Sequence, residues 1–251
     1  METSEPAPSL QTPREPRGLL GSFDQLLTEP LALLERARPP LLPLLAGAVV
    51  GAGLYGAAAG FFQGGWQILL AGLKAPLILA MTLLLCLPSL YVLSSLAGAR
   101  WTRRTFLATV AGFAATLALL LLALLPIGWL FSVSSRYLGS VVWLHLLLWA
   151  MALILGWRFL GRALAAAGAH GGTVVWLFLF ALVSLQVATF LRPVLWRQPG
   201  EPLFRLGEKM SFLEHVGHVF DLPAVDAKPE KVKPGKGKQE PKPAAKPDAA
   251  R

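Results

Sequence analysis

Few side chains in this sequence are of a kind that does chemistry. His215 and His218 stand one helical turn apart and could touch the same metal ion. The HExxH order is absent, however, and no cysteine or third ligand is evident, so no metal site and no cofactor are expected. Cys86 is the single cysteine, which excludes a disulfide framework and a zinc cluster. It sits in the middle of an apolar run and reads as a small packing residue. His145 lies near the start of another apolar run, where a hydrogen-bonded structural role is expected. No Ser–His–Asp set, carboxylate pair or Walker loop is evident, so no catalytic residue is assigned and enzyme activity is not expected. The sequence leaves open a His–Ser arrangement inside the membrane.

What must position these residues is a set of apolar helices. Only 15% of the 251 residues are charged, against roughly 25% in soluble domains, and 55% are apolar. The stretch Ala75–Ala99 holds nine Leu and no charge. As a helix it would run roughly 37 Å at about 1.5 Å per residue, enough to cross a hydrocarbon core of about 30 Å. A soluble helix of that length would show a polar face, and this one has none. Four further runs of this kind give an all-α, polytopic transmembrane bundle of five spans, at about 41–62, 75–99, 106–131, 141–157 and 173–191. The first forty residues show no apolar core beside a cleavage site, so no signal peptide is expected.

Several residues stand out within this frame. Gly47–Gly51 and Gly56–Gly60 have the small-xxx-small spacing that lets helix backbones approach closely. Packing within the chain is the first reading of that face, and homodimerisation the second. Gln63–Leu73 reads as a short linker with Trp66 at interface depth. Lys74 and Pro76 then open the second span, with the Lys74 ammonium bent back to the headgroups and Pro76 in an early turn. Pro88 removes a backbone hydrogen bond and kinks that span, leaving the carbonyl near Leu84 in need of another donor. Arg158–Gly172 reads as a loop. Gln186 is the one strongly polar side chain of the fifth span and is expected to bond to a neighbouring helix for about 1 kcal/mol. Arg192 snorkels at the end of that span, and Pro193 stops it.

The flanks are polar. Residues 1–17 are Pro-rich and read as disordered. Residues 18–38 read as an amphipathic interfacial segment, with Thr28 capping a short helix that holds Pro30 in its first turn. Residues 196–226 form a surface segment. Within it Ser211 and Glu214 make a capping box, and Phe212, Leu213, Val216, Val219 and Phe220 share one stripe, giving an amphipathic helix over 211–221. Residues 227–251 are a basic tail with seven Lys and one Arg against Glu230, Glu240 and Asp248. The tail reads as disordered, and having no aromatic residue to stack on a base it is not expected to bind nucleic acid.

Five spans with polar ends, a Pro-kinked second span and short loops resemble the Yip1-like membrane proteins, in particular bacterial ones of that shape. The motifs are Lys74–Ala75–Pro76–Leu77, Leu87–Pro88–Ser89–Leu90 and Leu191–Arg192–Pro193 with the Phe-containing segment after it, over roughly residues 67–221. The resemblance implies a helical bundle. Eukaryotic members act in membrane trafficking through small GTPases, and no motif for binding a GTPase is found here to carry that role over.

Function is read mainly from what the interior lacks. No Asp or Glu lies in any of the five spans, whereas proton-coupled transporters need ionisable residues facing a cavity. The first expectation is a non-enzymatic membrane scaffold or assembly protein, with membrane lipids and a membrane protein or a second copy as partners. The alternative is an oligomeric channel or small-solute permease, with Thr82, Ser89, Ser94, Ser95 and Gln186 lining a path past Pro88. For orientation, Arg36, Arg38, Arg100, Arg103, Arg104, Arg158 and Arg162 share one side. Lys74, Arg136, Arg192, Arg197, Arg205 and Lys209 share the other. Early loops dominate, which favours a cytoplasmic N-terminus and an external C-terminus, and the Ala/Leu-rich composition with the Lys/Pro-rich tail fits a bacterial inner membrane.

Overall fold

A computed structural model of the chain describes residues 18–28, 32 and 39–191. These form six helices: α1 (Gly18–Thr28), α2 (Leu41–Gly60), α3 (Trp66–Leu96), α4 (Arg103–Ser134), α5 (Leu138–Ala166) and α6 (Thr173–Phe190). No strand occurs among the described residues. The last five helices are long and apolar enough to cross a membrane, which makes the fold an all-helical, multi-pass bundle. Lipid offers no partner for a backbone N–H or C=O, so each crossing segment satisfies its own backbone as a helix.

Successive helices run antiparallel, so the bundle has two ends. At one end lie the start of α2, the α3–α4 loop and the α5–α6 loop. At the other lie the α2–α3 turn, the α4–α5 loop and the end of α6. Around this second end Trp66, Trp129, Tyr137 and Trp143 are exposed, as aromatic rings at a membrane interface are. α1 packs against α2 and α4 at the first end, where Leu26 joins the buried core.

Helix α4 is the centre of the bundle. Residues 108–115 are all buried, two full turns with no outward face. They can be enclosed because the run Ala108, Ala111, Gly112, Ala114, Ala115 is small. Gly112 faces the Phe159 ring, which a Cβ would meet at 2.6 Å, and Gly156 faces Leu117 at 2.8 Å. The two glycine pairs of α2 serve different neighbours. Gly51 lies against Ala118 of α4, with 3.2 Å from a Cβ to the methyl. Gly56 lies on α3, where a Cβ would stand 2.5 Å from both the Ala71 carbonyl oxygen and Ala75 Cβ. At Gly60 the Gln67 oxygen and Ile68 Cα would be 2.8 Å away. Gly47 is buried as well. The small-residue face expected from the sequence is thus occupied within the chain.

Several boundaries differ from the sequence reading. The linker expected over Gln63–Leu73 is only a turn at 61–65, closed by Gly64 and Gly65 at φ 75° and 58°. The second span therefore starts at Trp66, and Lys74 and Pro76 lie two turns inside it. The register puts Lys74 on the same face as Gln67 and Ala71, and it is 2% exposed. It does not reach back to the headgroups. Arg158 and Arg162 belong to α5, not to a loop, because Arg158–Ala166 continues an Ala/Leu-rich helix. Thr28 is the last residue of α1, its hydroxyl donating to the Asp24 carbonyl at 2.8 Å, and the short helix expected after it, with Pro30 in its first turn, lies outside the described residues. Residues 1–17, Arg192, Pro193, the helix expected over 211–221 and the tail over 227–251 lie outside the described residues.

The two loops of the first end share a construction. α3 and α5 each end in an Ala-Gly-Ala turn, 97–99 and 167–169. Gly98 (φ 97°) and Gly168 (φ 89°) each hold the left-handed position. Ala99 N–H donates to the Ser94 carbonyl and Ala169 N–H to the Leu164 carbonyl, both at 2.9 Å, the Schellman pattern. The turns then bond to each other: Arg100 N–H donates to Ala167 O and His170 N–H to Ala97 O, both at 2.9 Å. This clasp ties the α3–α4 hairpin to the α5–α6 hairpin.

The backbone approach at Gly56 makes a direct expectation. Gly56→Leu forces α2 and α3 apart and should destabilise the bundle by about 2 kcal/mol or more. Gly64→Leu, at a position where nothing lies within 4 Å of a Cβ, should act only through its strained φ. Unfolding in mixed micelles, followed by circular dichroism, measures both.

Candidate functional site

Three helices contribute side chains to one polar chain inside the bundle. The Tyr55 hydroxyl on α2 lies 2.8 Å from His145 Nδ1 on α5, and His145 Nε2 lies 3.0 Å from Ser132 Oγ on α4. Ser132 is buried and also stands 2.8 Å from the Gly128 carbonyl one turn back. Each element fixes one member. Tyr55 is on the buried face of α2, and its ring meets the imidazole edge-on, with centroids 5.5 Å apart at 81°. Gly128 makes room for the imidazole, since a Cβ there would be 3.1 Å from His145 Cε1. His145 is two turns into α5, at a depth where an unpaired ring nitrogen would face hydrocarbon.

The donors settle the direction of the chain. The Gly128 carbonyl only accepts, so the single Ser132 proton goes to it. His145 Nε2 must then carry a hydrogen and donate it to Ser132 Oγ. Nδ1 is left as the acceptor for the Tyr55 hydroxyl. Every donor finds an acceptor when the imidazole is neutral in its Nε2–H form. A serine activated for attack needs the opposite arrangement, with its proton directed at a bare imidazole nitrogen. The chain also ends on a backbone carbonyl, which passes no proton onward. The geometry suits a polar lock between α2, α4 and α5.

Two further interhelix bonds are made by indoles. Trp176 of α6 donates from Nε1 to the Cys86 carbonyl of α3 at 3.1 Å. This is the donor that reaches the Pro88 region from a neighbouring helix, and it takes the carbonyl two residues before the proline rather than that of Leu84. Trp176 packs with Phe113 and Phe180 in the buried core, ring centroids 5.5 and 5.2 Å away. Trp101 donates from Nε1 to Ser94 Oγ at 2.8 Å, holding the α3–α4 loop onto α3.

The residues singled out from the sequence are scattered. Pro88 faces outward from α3. Gln186 is exposed on α6, not bonded inward as expected, because the α6 register gives the buried side to Trp176, Phe180, Ser184 and Val187. Lys74 and Gln67 are buried between helices. The side chains offered as a channel lining lie on α3, apart from Gln186 on α6. Thr82, Ser89 and Ser94 donate to carbonyls of their own helix at 2.7, 2.8 and 3.1 Å, while Ser95 is exposed. Tyr55, Ser132 and Trp176 were not singled out from the sequence. Their partners lie 90 residues away in two of the three cases, and periodicity carries no information about which faces meet. Among the described residues no group of three His, Cys, Asp or Glu is placed to hold a metal. Comparison of the chain with known protein families, curated proteins and solved structures finds no match of any of the three kinds.

The lock has a spectroscopic signature. With ¹⁵N-labelled histidine in bilayers, His145 should show a protonated Nε2 and an unprotonated Nδ1 across the neutral pH range, and Tyr55→Phe should shift Nδ1 selectively. Tyr55→Phe and Trp176→Phe should each cost about 1 kcal/mol of bundle stability, the usual scale of an interhelix hydrogen bond in lipid.

Proposed function

We propose that this integral membrane protein is a non-enzymatic scaffold, a shape-holding bundle whose work is to bind membrane protein partners or further copies of itself. The observation that carries this reading is how the polar side chains within the spans are used. The Tyr55–His145–Ser132 chain, Trp176 to Cys86 and Trp101 to Ser94 all join one helix or loop to another. Side chains spent on holding helices together are not free to bind and release a solute, and a rigid bundle is what a scaffold requires. The outer wall offers a seat for a partner helix. A shallow apolar groove between α2 and α3 is lined by Gly53, Ala57, Ile68, Leu69 and Gly72, of which Gly53, Ala57 and Gly72 are small enough to let a further helix approach.

The reading includes an orientation with the N-terminus in the cytoplasm of a bacterial cell. Among the described residues the loops and helix ends at the first end carry Arg100, Arg103, Arg104, Arg158 and Arg162, against Arg136 at the second. Burial of Lys74 removes it from that comparison. An excess of arginine near span ends marks the cytoplasmic side.

A photoreactive residue at Leu69, on the groove, should give a discrete adduct in native membranes, either a heteromer or a dimer. A purely monomeric protein with no adduct there would overturn the scaffold reading. Alkaline phosphatase fused after the C-terminus should be active and the same fusion at the N-terminus inactive; the reverse pattern would overturn the orientation.

A further inference from the structure

The outer face of α5 carries Leu147, Met151, Ile154, Arg158 and Arg162, three or four residues apart and so in one row along the helix. All five are exposed, the apolar three at 65%, 39% and 61%. The row changes from apolar to cationic between Ile154 and Arg158.

The depth of that change can be placed. From Leu138, where α5 begins beside the exposed Tyr137, to Arg158 the helix rises about 30 Å, the thickness of the hydrocarbon core. Arg158 therefore stands at the opposite boundary of the core. Arg162 is one turn farther, about 6 Å into the headgroup layer. Trp157 marks the same level on the adjoining face, its indole Nε1 3.8 Å from where a Cβ on Gly161 would be. The only acidic side chain among the described residues is Asp24, on α1, which packs on α2 and α4.

We infer that this row is a binding site for an anionic glycerophospholipid, with Arg158 and Arg162 holding the headgroup phosphate and Ile154, Met151 and Leu147 carrying an acyl chain. Two guanidinium groups spaced by one turn converge on one phosphate and bond it in forked geometry. A zwitterionic lipid brings its own cation to the same place and is disfavoured. A soluble polyanion would meet the arginines but leave the apolar row uncovered. The row thus selects a ligand with a negative head and an apolar tail, side by side in the order a phospholipid has them.

The test is native mass spectrometry of the full-length chain, released from detergent with added phosphatidylglycerol or phosphatidylcholine. The wild type should retain phosphatidylglycerol, and the Arg158→Gln/Arg162→Gln variant should lose about tenfold in apparent affinity, as expected when charge-assisted hydrogen bonds are removed. Arg100→Gln/Arg103→Gln removes equal charge from the α3–α4 loop and the start of α4 and should retain the lipid; the basic tail is present throughout. Ile154→Glu leaves both arginines in place and should also expel the lipid, which keeps the test valid if the double variant folds poorly. Equal retention of phosphatidylcholine, equal loss in both arginine pairs, or displacement by inorganic phosphate at the lipid's own concentration would each overturn the site.

Discussion

The bundle depends on one steric condition: the backbones of α2 and α3 must touch. At Gly56 and Gly60 there is no room for a β-carbon, because carbonyl oxygens and Cα atoms of α3 already occupy that space. In lipid, helices gain little from burying apolar area, since hydrocarbon surrounds them in either state. Close approach supplies what the hydrophobic effect does not, as dispersion contacts between surfaces without gaps. α2 meets this condition twice on one helix, against α3 through Gly56 and Gly60 and against α4 through Gly51. The short turn at 61–65 fits the same contact, because two helices this close need only a brief connection between their ends.

Once the backbones are close, the polar side chains can bridge. Tyr55 extends from the glycine-rich helix to His145, and Gly128 leaves the imidazole space to sit between α2 and α4. The lock is therefore a consequence of small-residue packing and adds direction to it. Dispersion tolerates a helix sliding by a fraction of a turn, whereas a hydrogen bond of 2.8 Å does not. Trp176 does the same for α6, which has the fewest small residues among the spans and packs through aromatic rings instead.

The sequence made the five spans legible because lipid imposes length and apolarity on every crossing segment, and neither depends on what the segment packs against. It also showed the glycine pairs of α2, a periodic signal. It was less informative at ends. WQILLAGL is apolar, follows two glycines and precedes a lysine, and it reads equally well as an interfacial linker or as the first turns of a helix. Gly64 and Gly65 decide for the helix by taking the whole reversal on themselves at positive φ. Lys74 was misplaced for that reason alone, since moving the start of α3 by nine residues carries it from the interface to a buried face. The lock was not legible, because a tyrosine, a serine and a histidine on three different helices share no spacing. The pairing of the two hairpins does have a sequence signal, Ala-Gly-Ala at 97–99 and again at 167–169.

That repeated turn has a structural consequence beyond capping. α3 and α5 run in the same direction, as do α4 and α6, and each pair of turns closes the same way. The contacts follow the relation: α3 packs on α6 as α5 packs on α4. An exchange of the two hairpins about an axis along the membrane normal would preserve both the packing and the reciprocal bonds of Arg100 and His170. α2 has no counterpart under that exchange. It packs on α3 and α4, and its glycines make it the element that breaks the pairing, holding one hairpin by backbone contact while the other keeps an outward wall. The row on α5 lies on the hairpin that α2 meets through the Tyr55–His145 bond rather than through close backbone packing. The asymmetry that a glycine-rich helix imposes on two similar hairpins is thus what leaves one arginine-tipped face turned toward lipid.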